Sequence, residues 1–109
     1  MTKFETVILF NPDLSNLIIE KEEKNIIDNI ESSEGKIIST ENWGLRDLSY
    51  KISNYKKAFY KYYQIEIKGS SIENLKKIMT QNEKILRHMF VRVENHQELP
   101  TKMMTDEEK

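Results

Sequence analysis

Aromatic and cationic side chains lie close together in one β-prone stretch of the sequence. Tyr60 and Tyr62 share a strand register, and the cations nearby are Lys56, Lys57 and Lys61. Rings beside cations suit single-stranded or irregular RNA, because bases stack on the rings while the cations contact phosphate. Tyrosine is equally suited to half-buried sheet packing and to protein interfaces. The sequence therefore leaves both RNA contact and protein contact open for Tyr60 and Tyr62.

A second stretch, Trp43–Ile52, contains the only tryptophan and one of the three glycines. Its second half alternates apolar and polar residues, which is the period of a strand. Gly44 inside this pattern predicts a bulge or a bend that re-aims neighbouring side chains. We therefore expect Trp43, Arg46 and Tyr50 to lie on one long, twisted strand with a local irregularity.

Three arginines stand out in a chain whose other cations are lysines: Arg46, Arg87 and Arg92. The planar guanidinium can bind a phosphate through two hydrogen bonds, which favours a role in contacting a nucleic-acid backbone. The alternative is an exposed arginine that only keeps the surface soluble. The predicted topology places all three on the two edge strands of the sheet.

The sequence offers no catalytic constellation and no cofactor or metal site. There is no cysteine, and the only histidines, His88 and His96, do not have the spacing of metal ligands. The carboxylates of Glu22 and Glu23, and those of Glu107 and Glu108, are sequence neighbours whose side chains point apart. The three glycines are isolated, so no phosphate-cradling loop is present.

Charge is distributed unevenly along a chain of 109 residues with a net charge of −1. Residues 1–35 carry −5, residues 36–94 carry +6, and residues 95–109 carry −2. A basic middle region between acidic ends favours a polyanionic partner. A lysine-rich surface that protects sheet edges from aggregation is the alternative. The length fits one domain, and no signal peptide or membrane span is visible in the sequence.

The apolar patterns predict the element order β-α-β-β-α-β. This order is typical of an α+β, ferredoxin-like sandwich, in which four antiparallel strands carry two helices on one face. We expect Ser15 or Asp13 to cap the first helix, Gly35 to end it in a left-handed conformation, and Ser70 with Glu73 to form a capping box. The predicted strands are Phe4–Phe10, Lys36–Ser53, Ala58–Ile67 and Leu86–Val93, with residues 54–57 as the hairpin connection.

In the third strand, we expect Tyr63, Ile65 and Ile67 to face the core, and Tyr60 and Tyr62 to face outward. The apolar period ends at residue 94. The sequence therefore predicts one domain over residues 1–94 and a flexible acidic tail over residues 95–109.

Three motifs resemble a known family. Gly44–Ser53 looks like the signature of the sixth protein of the bacterial small ribosomal subunit. Phe4–Thr6 followed by Asn11–Ser15 resembles the opening of that family, and Asn82–Val93 resembles its last turn and strand. The resemblance runs from Lys3 to Glu94.

The resemblance implies a ferredoxin-like fold, no catalysis and no cofactor. It also implies a place on the cytoplasmic ribosome, where the protein binds the central domain of small-subunit ribosomal RNA as a heterodimer with the eighteenth small-subunit protein. Departures from the family are Asp47 in place of a basic or amide residue, Lys51 in place of proline, and Phe4 in place of tyrosine. Asp47 argues against phosphate contact at that position, and Lys51 partly restores the positive charge.

Residue composition and resemblance together assign two sets of site residues. The expected RNA contacts are Arg46, Lys51, Lys56, Arg87 and Arg92. Trp43 and Tyr50 shape the long strand and, with Tyr60 and Tyr62, form the expected partner interface. Two rival functions share this fold: a ligand-sensing or oligomerising regulatory module, and a phosphate-ester hydrolase. Neither rival accounts for all three motifs.

Overall fold

The chain alternates strands and helices in the order that the sequence predicts. The computed structural model describes residues 1–101. The elements are β1 (Thr2–Phe10), α1 (Asn16–Ser32), β2 (Lys36–Ile52), β3 (Tyr55–Ile67), α2 (Gly69–Gln81) and β4 (Ile85–Val93). Within this range no helix is both long and apolar enough to cross a membrane.

The four strands form one antiparallel sheet in the order β2-β3-β1-β4. β1 and β3 are central, so β2 and β4 are the edge strands, as predicted. Both helices pack on one face of this sheet, and the ferredoxin-like fold is confirmed. We call the opposite face of the sheet the open face.

The core lies between the helices and the sheet. It takes Ile19, Ile26 and Ile30 from α1, Ile72, Leu75 and Met79 from α2, and Ile8, Phe10, Ile65 and Ile67 from the central strands. Each fully buried aliphatic or aromatic side chain contributes about 1.5–3 kcal/mol relative to solvent exposure. At the edge of this core, the Tyr63 hydroxyl donates a hydrogen bond to Glu23 over 2.7 Å. Burial and this carboxylate raise the pKa of Tyr63, so it stays protonated.

The ends of α1 follow one prediction and overturn another. Ser15 caps the helix by accepting a hydrogen bond from the Ile18 amide at 3.3 Å. The left-handed residue after the helix is Glu34, with φ of 64°, and not Gly35. The Gly35 amide bonds to the Ile30 carbonyl and the Glu34 amide to the Glu31 carbonyl, which is a Schellman motif. Gly35 serves close packing instead, since a Cβ there would lie 2.9 Å from Ile30 Cγ2.

Two other local predictions were wrong. α2 begins at Gly69, and its N-cap Lys68 makes no side-chain cap hydrogen bond, so Ser70 lies inside the helix and forms no capping box. The hairpin connection is only two residues long: Ser53 and Asn54 both have positive φ, at 49° and 70°. That conformation is a type I′ turn, whose twist matches that of the flanking strands, and it lets β3 begin at Tyr55.

The chain also continues past the predicted domain end. Residues 95–101, the first part of the predicted tail, lie against the open face through the hydrogen bonds described below. We call them the C-terminal segment. The rest of the predicted tail, residues 102–109, lies outside the described residues.

Candidate nucleic-acid and partner interface

One half of the open face is covered by the C-terminal segment. The backbone and side-chain nitrogens of Gln97 both donate to the Glu5 carboxylate, at 2.9 and 3.0 Å. The Gln64 amide donates to the Gln97 carbonyl at 2.9 Å. Thr101 is buried, and its amide and hydroxyl donate to Glu41 at 3.1 and 2.6 Å. These bonds hold the segment across β1, β3 and β2.

The covered half contains two of the aromatic residues predicted to be at the partner interface. Tyr62 faces away from the helices as predicted, and it is only 2% exposed. Its hydroxyl accepts from the side-chain amides of Gln64 at 3.1 Å and Gln97 at 3.2 Å. Trp43 is also buried and stacks on Tyr62, with ring centroids 5.0 Å apart. Direct contact of either ring with a partner would require the C-terminal segment to move away.

A bulge sets the position of Trp43. The pairing of β2 with β3 shifts between Asn42 and Gly44, and Gly44 has φ of 77°, which an L side chain rarely adopts. The predicted bulge is thereby confirmed. It turns the Trp43 indole onto Tyr62, where its N–H donates to Glu41 at 2.8 Å.

Glu41 therefore holds both the indole and the C-terminal segment. Burial by itself raises the pKa of this carboxyl, but the hydrogen bonds from Thr101 and Trp43 outweigh burial and lower it below its ordinary value. Glu41 consequently carries its charge at neutral pH and accepts charge-assisted hydrogen bonds.

The other half of the open face lies at the end where β2 and β3 extend beyond β1. The last β3 residue paired with β1 is Phe59, opposite Phe10. Residues 47–57 therefore form a two-stranded projection, which we call the arm. Asn11 fastens the arm close to its turn, because its side-chain amide donates to the Tyr55 hydroxyl at 3.0 Å.

The arm reaches across the sheet to β4. Tyr50 is 59% exposed, and its hydroxyl accepts a hydrogen bond from Nη1 of Arg87. The guanidinium carbon of Arg87 lies 5.3 Å from the centroid of the Tyr50 ring, which is a cation–π distance. Arg87 lies opposite Leu9 on β1, so this contact joins the arm to the far edge strand.

Four of the five predicted RNA-contacting residues lie at the arm end of the open face or on the arm itself. Arg46 lies opposite Ala58, and its Nε donates to the Trp43 carbonyl at 2.9 Å. Lys51 and Lys56 are exposed on the arm, and Arg87 contacts the arm through Tyr50. These four cations therefore lie at the same end of the sheet, with Arg46 and Arg87 on its two edge strands.

Arg92 lies apart from that group. It is exposed and lies opposite Phe4, near the start of β1, beside a depression that Met1 and Lys3 also line. Arg92 is five positions along the strand from Arg87, which is about 17 Å, and an odd separation places the two side chains on opposite faces. Arg92 and Arg87 therefore cannot bind the same phosphate.

The remaining predicted interface residue, Tyr60, is half-buried on the open face between Gly44 and Leu9. Sequence reasoning missed the apolar side chains of Met89 and Val91, which are 50% and 53% exposed on the same face. Their alternation with His88 and Phe90 was visible in the sequence, but it did not show which register faces the helices.

The two histidines have separate surroundings. His88 Nε2 lies 3.2 Å from the Thr80 hydroxyl, and burial together with nearby Lys76 lowers its pKa. His96 lies beside Glu5, with 3.6 Å between Nδ1 and Oε2. Within residues 1–101 no three histidine or acidic side chains are arranged to hold a metal.

Comparison with known proteins identifies the family. A family model described as ribosomal protein S6 matches residues 3–92. The small ribosomal subunit protein bS6 of Zymomonas mobilis is 36% identical over 104 residues, which cover 95% of this chain and 84% of that protein. The protein of the same name from Bartonella bacilliformis is 35% identical over 105 residues, covering 96% and 77%.

The structural comparison agrees on the fold. The crystal structure of 30S ribosomal protein S6 from Thermotoga maritima superposes with a TM-score of 0.80 at 20% identity, covering 84% of this chain and 87% of that chain. The residues matched by the family model contain the first two motifs and all but the last residue of the third, and the resemblance is thereby confirmed. The chain belongs to the ribosomal protein S6 family, a family of structural proteins of the small ribosomal subunit.

Proposed function

We propose that this chain is a non-catalytic constituent of the small ribosomal subunit, which binds the central domain of small-subunit ribosomal RNA together with the eighteenth small-subunit protein. The observation that carries the proposal is that Arg46, Lys51, Lys56 and Arg87 lie at the arm end of the sheet or on the arm. The chain as a whole has a net charge of −1, so this grouping is a local surplus. Family membership supports the same function, and no observation favours the regulatory module or the hydrolase.

The small number of grouped cations supports the need for a second protein. Neutralising about four phosphates gives a slope of log affinity against log salt of roughly −3 to −4, which corresponds to weak binding at physiological salt. A basic partner that adds its own phosphate contacts would raise the affinity.

The exposed side chains of Met89 and Val91 suggest where such a partner docks. Both lie on the open face of edge strand β4, the strand that also carries Arg87. Apolar residues beside a basic patch allow a protein and RNA to be bound at adjacent positions. Tyr60 is half-buried on the same face. Among the predicted interface tyrosines, Tyr60 and Tyr50 keep some exposure, whereas Tyr62 is buried.

Filter binding tests the proposal. The full chain is titrated against a central-domain ribosomal RNA fragment, with and without the eighteenth protein, at two salt concentrations. We expect weak binding alone and tighter, salt-sensitive binding with the partner. Arg46→Ala or Arg87→Ala should weaken binding and reduce the salt slope by about one.

The matched control is Lys77→Ala, because Lys77 lies on α2, on the far side of the sheet. It should bind like the unmodified chain. If the partner brings no gain in affinity, the heterodimer is wrong. If Lys77→Ala weakens binding as much as Arg87→Ala, the arm end is not the RNA-contacting surface.

A further inference from the structure

We propose that Tyr50 is a positioning residue that holds Arg87 in place, so that the arm and β4 form one composite site for an RNA phosphate. The inference rests on the proposed function and deepens it, because it changes the role of Tyr50. The sequence placed Tyr50 at the partner interface as one of the aromatic residues. The structure gives its ring a cation of the same chain as its partner.

An irregularity in the arm brings Tyr50 to Arg87. Asp47 pairs with Lys57 and Ile52 pairs with Tyr55, so four residues of β2 oppose the single residue Lys56 of β3. The surplus of three residues prevents regular pairing, and extra residues in one strand bend it and increase its twist. Tyr50 lies in the middle of this surplus. The bend carries its side chain over the open face to β4, which is two strands away from β3.

The contact fixes the guanidinium and leaves it able to bind a phosphate. The Tyr50 hydroxyl accepts from one nitrogen, Nη1, and the ring lies 5.3 Å from the guanidinium carbon. A guanidinium has five N–H donors in a rigid plane, so one bond to a phenol leaves donors for a bidentate phosphate contact. The phenol is neutral, so the positive charge of Arg87 is not cancelled.

Lysines of the arm add positive charge near this contact. Lys56 faces the four-residue irregularity in β2. Lys51 is the sequence neighbour of Tyr50 and so extends from the opposite face of the strand. Both are exposed, and neither has an ion-pair partner among the described residues. Tyr50 ties the arm that carries these lysines to β4 and orders the side chain of Arg87. Ordering this long side chain before binding lowers the entropy lost on binding.

This arrangement differs from a stacking role for Tyr50. A tyrosine that stacks on a base contributes its own contact energy, independent of Arg87. A tyrosine that positions Arg87 contributes only while Arg87 is present. The two cases predict different results in a double-mutant cycle.

The experiment measures RNA affinity of the full chain with the eighteenth protein and the central-domain fragment. The variants are Tyr50→Ala, Tyr50→Phe, Arg87→Ala and the double variant Tyr50→Ala/Arg87→Ala. We expect Tyr50→Ala to weaken binding about threefold to tenfold, the range that follows from freeing a rotamer-rich side chain. Tyr50→Phe keeps the ring and should lose less. The double variant should bind no more weakly than Arg87→Ala alone.

A second measurement does not involve RNA. In the free protein, the NMR signal of the Arg87 Nε–H group should be shifted by the Tyr50 ring. It should move to the position of an unrestrained arginine in Tyr50→Ala and only partly so in Tyr50→Phe. Lys57→Ala is the matched control on the same arm, because Lys57 pairs with Asp47 and not with Tyr50. It should leave the Arg87 signal unchanged.

Each result decides one claim. Additive losses in the cycle would show that Tyr50 contacts RNA itself and would overturn the positioning role, while the proposed function stands. An Arg87 signal at the unrestrained position in the unmodified protein would overturn it as well. Failure of the unmodified protein to bind the RNA with its partner would overturn the proposed function and this inference together.

Discussion

The two halves of the open face differ in how exposed their aromatic residues are. In the covered half, Trp43 and Tyr62 are 8% and 2% exposed beneath the C-terminal segment. In the arm half, Tyr50 is 59% exposed and holds an arginine. The residue types are similar, so composition does not separate the two roles. What separates them is whether the chain covers its own surface.

The charges differ in the same way. The covered half uses carboxylates of the chain, Glu5 and Glu41, to bind backbone and side-chain donors of the C-terminal segment. The arm half holds Arg87 with a neutral phenol, and leaves Lys51 and Lys56 exposed. We therefore expect substitutions in the covered half to change stability, and substitutions in the arm half to change RNA binding with little change in stability.

The largest effect should come from Trp43→Ala. This change removes a buried ring and its stack on Tyr62, and large-to-small changes of this kind cost about 3 kcal/mol or more. Tyr50→Ala, in the arm half, should cost less than about 1 kcal/mol, because its ring is largely exposed. Urea unfolding of both variants measures the difference. Equal losses would contradict the division of the open face into a structural and a binding half.

A smaller and pH-dependent effect should come from Glu41→Gln. The amide has one acceptor oxygen, whereas both oxygens of the Glu41 carboxylate accept hydrogen bonds from Trp43 and Thr101. The charge that strengthens these bonds is lost as well, and we expect a total cost of about 1 kcal/mol or more at neutral pH. The pKa of Glu41 in the folded protein lies below its ordinary value of 4.5, so the unfolded chain binds the proton more tightly. The contribution of Glu41 to stability is therefore present above pH 4.5 and is lost as pH falls through the folded-state pKa.

Urea unfolding at pH 7 and at about pH 4 checks this expectation. The difference in the free energy of unfolding between the unmodified protein and Glu41→Gln should shrink at the lower pH. Glu73→Gln is the control, because Glu73 is exposed on α2 and pairs with Lys76. A difference that stays constant with pH would show that the hydrogen bonds from Thr101 do not depend on the charge of Glu41.

The element order, the core and the edge strands could be predicted from the sequence because buried apolar residues recur at the period of the helix or strand that carries them. Ile19, Ile26 and Ile30 repeat at the helical period, and Ile65 and Ile67 at the strand period. The bulge at Gly44 was also visible, because a glycine inside a strand pattern often marks a bulge or a tight bend. In contrast, the prediction that Gly35 takes the left-handed conformation was wrong. Close packing against Ile30 and a left-handed turn both favour glycine, so the sequence does not distinguish them.

The two contacts that divide the open face could not be predicted. Gln97 reaches Glu5 across 92 positions of sequence, and polar residues in an irregular segment have no period to reveal such a contact. Tyr50 reaches Arg87 across 37 positions, and only because β2 has more residues than β3 within the arm. That surplus depends on strand register and turn length, and the turn was predicted two residues too long. The cations were therefore found by type, while their grouping required the structure.

The smallest effect on stability should come from Asp47→Asn in the arm. Asp47 and Lys57 form an exposed ion pair at 3.8 Å, with 84% and 57% of their side chains accessible. Exposed pairs of this kind contribute about 0–1 kcal/mol, so the free energy of unfolding should barely change. RNA affinity should instead rise about twofold to fivefold at low salt, because a negative charge beside Arg46 is removed and Lys57 is released.

The double variant Asp47→Asn/Lys57→Ala separates these two causes. If the released Lys57 contacts phosphate, the gain in affinity should disappear in the double variant. If removal of repulsion is sufficient, the gain should persist. Both outcomes keep the arm facing RNA, because either cause acts only on a nearby polyanion, and both should fade at high salt as screening increases. If Asp47→Asn changes RNA affinity at no salt concentration, the arm does not lie near the RNA. The division of the open face into a structural half and an RNA-binding half would then be wrong.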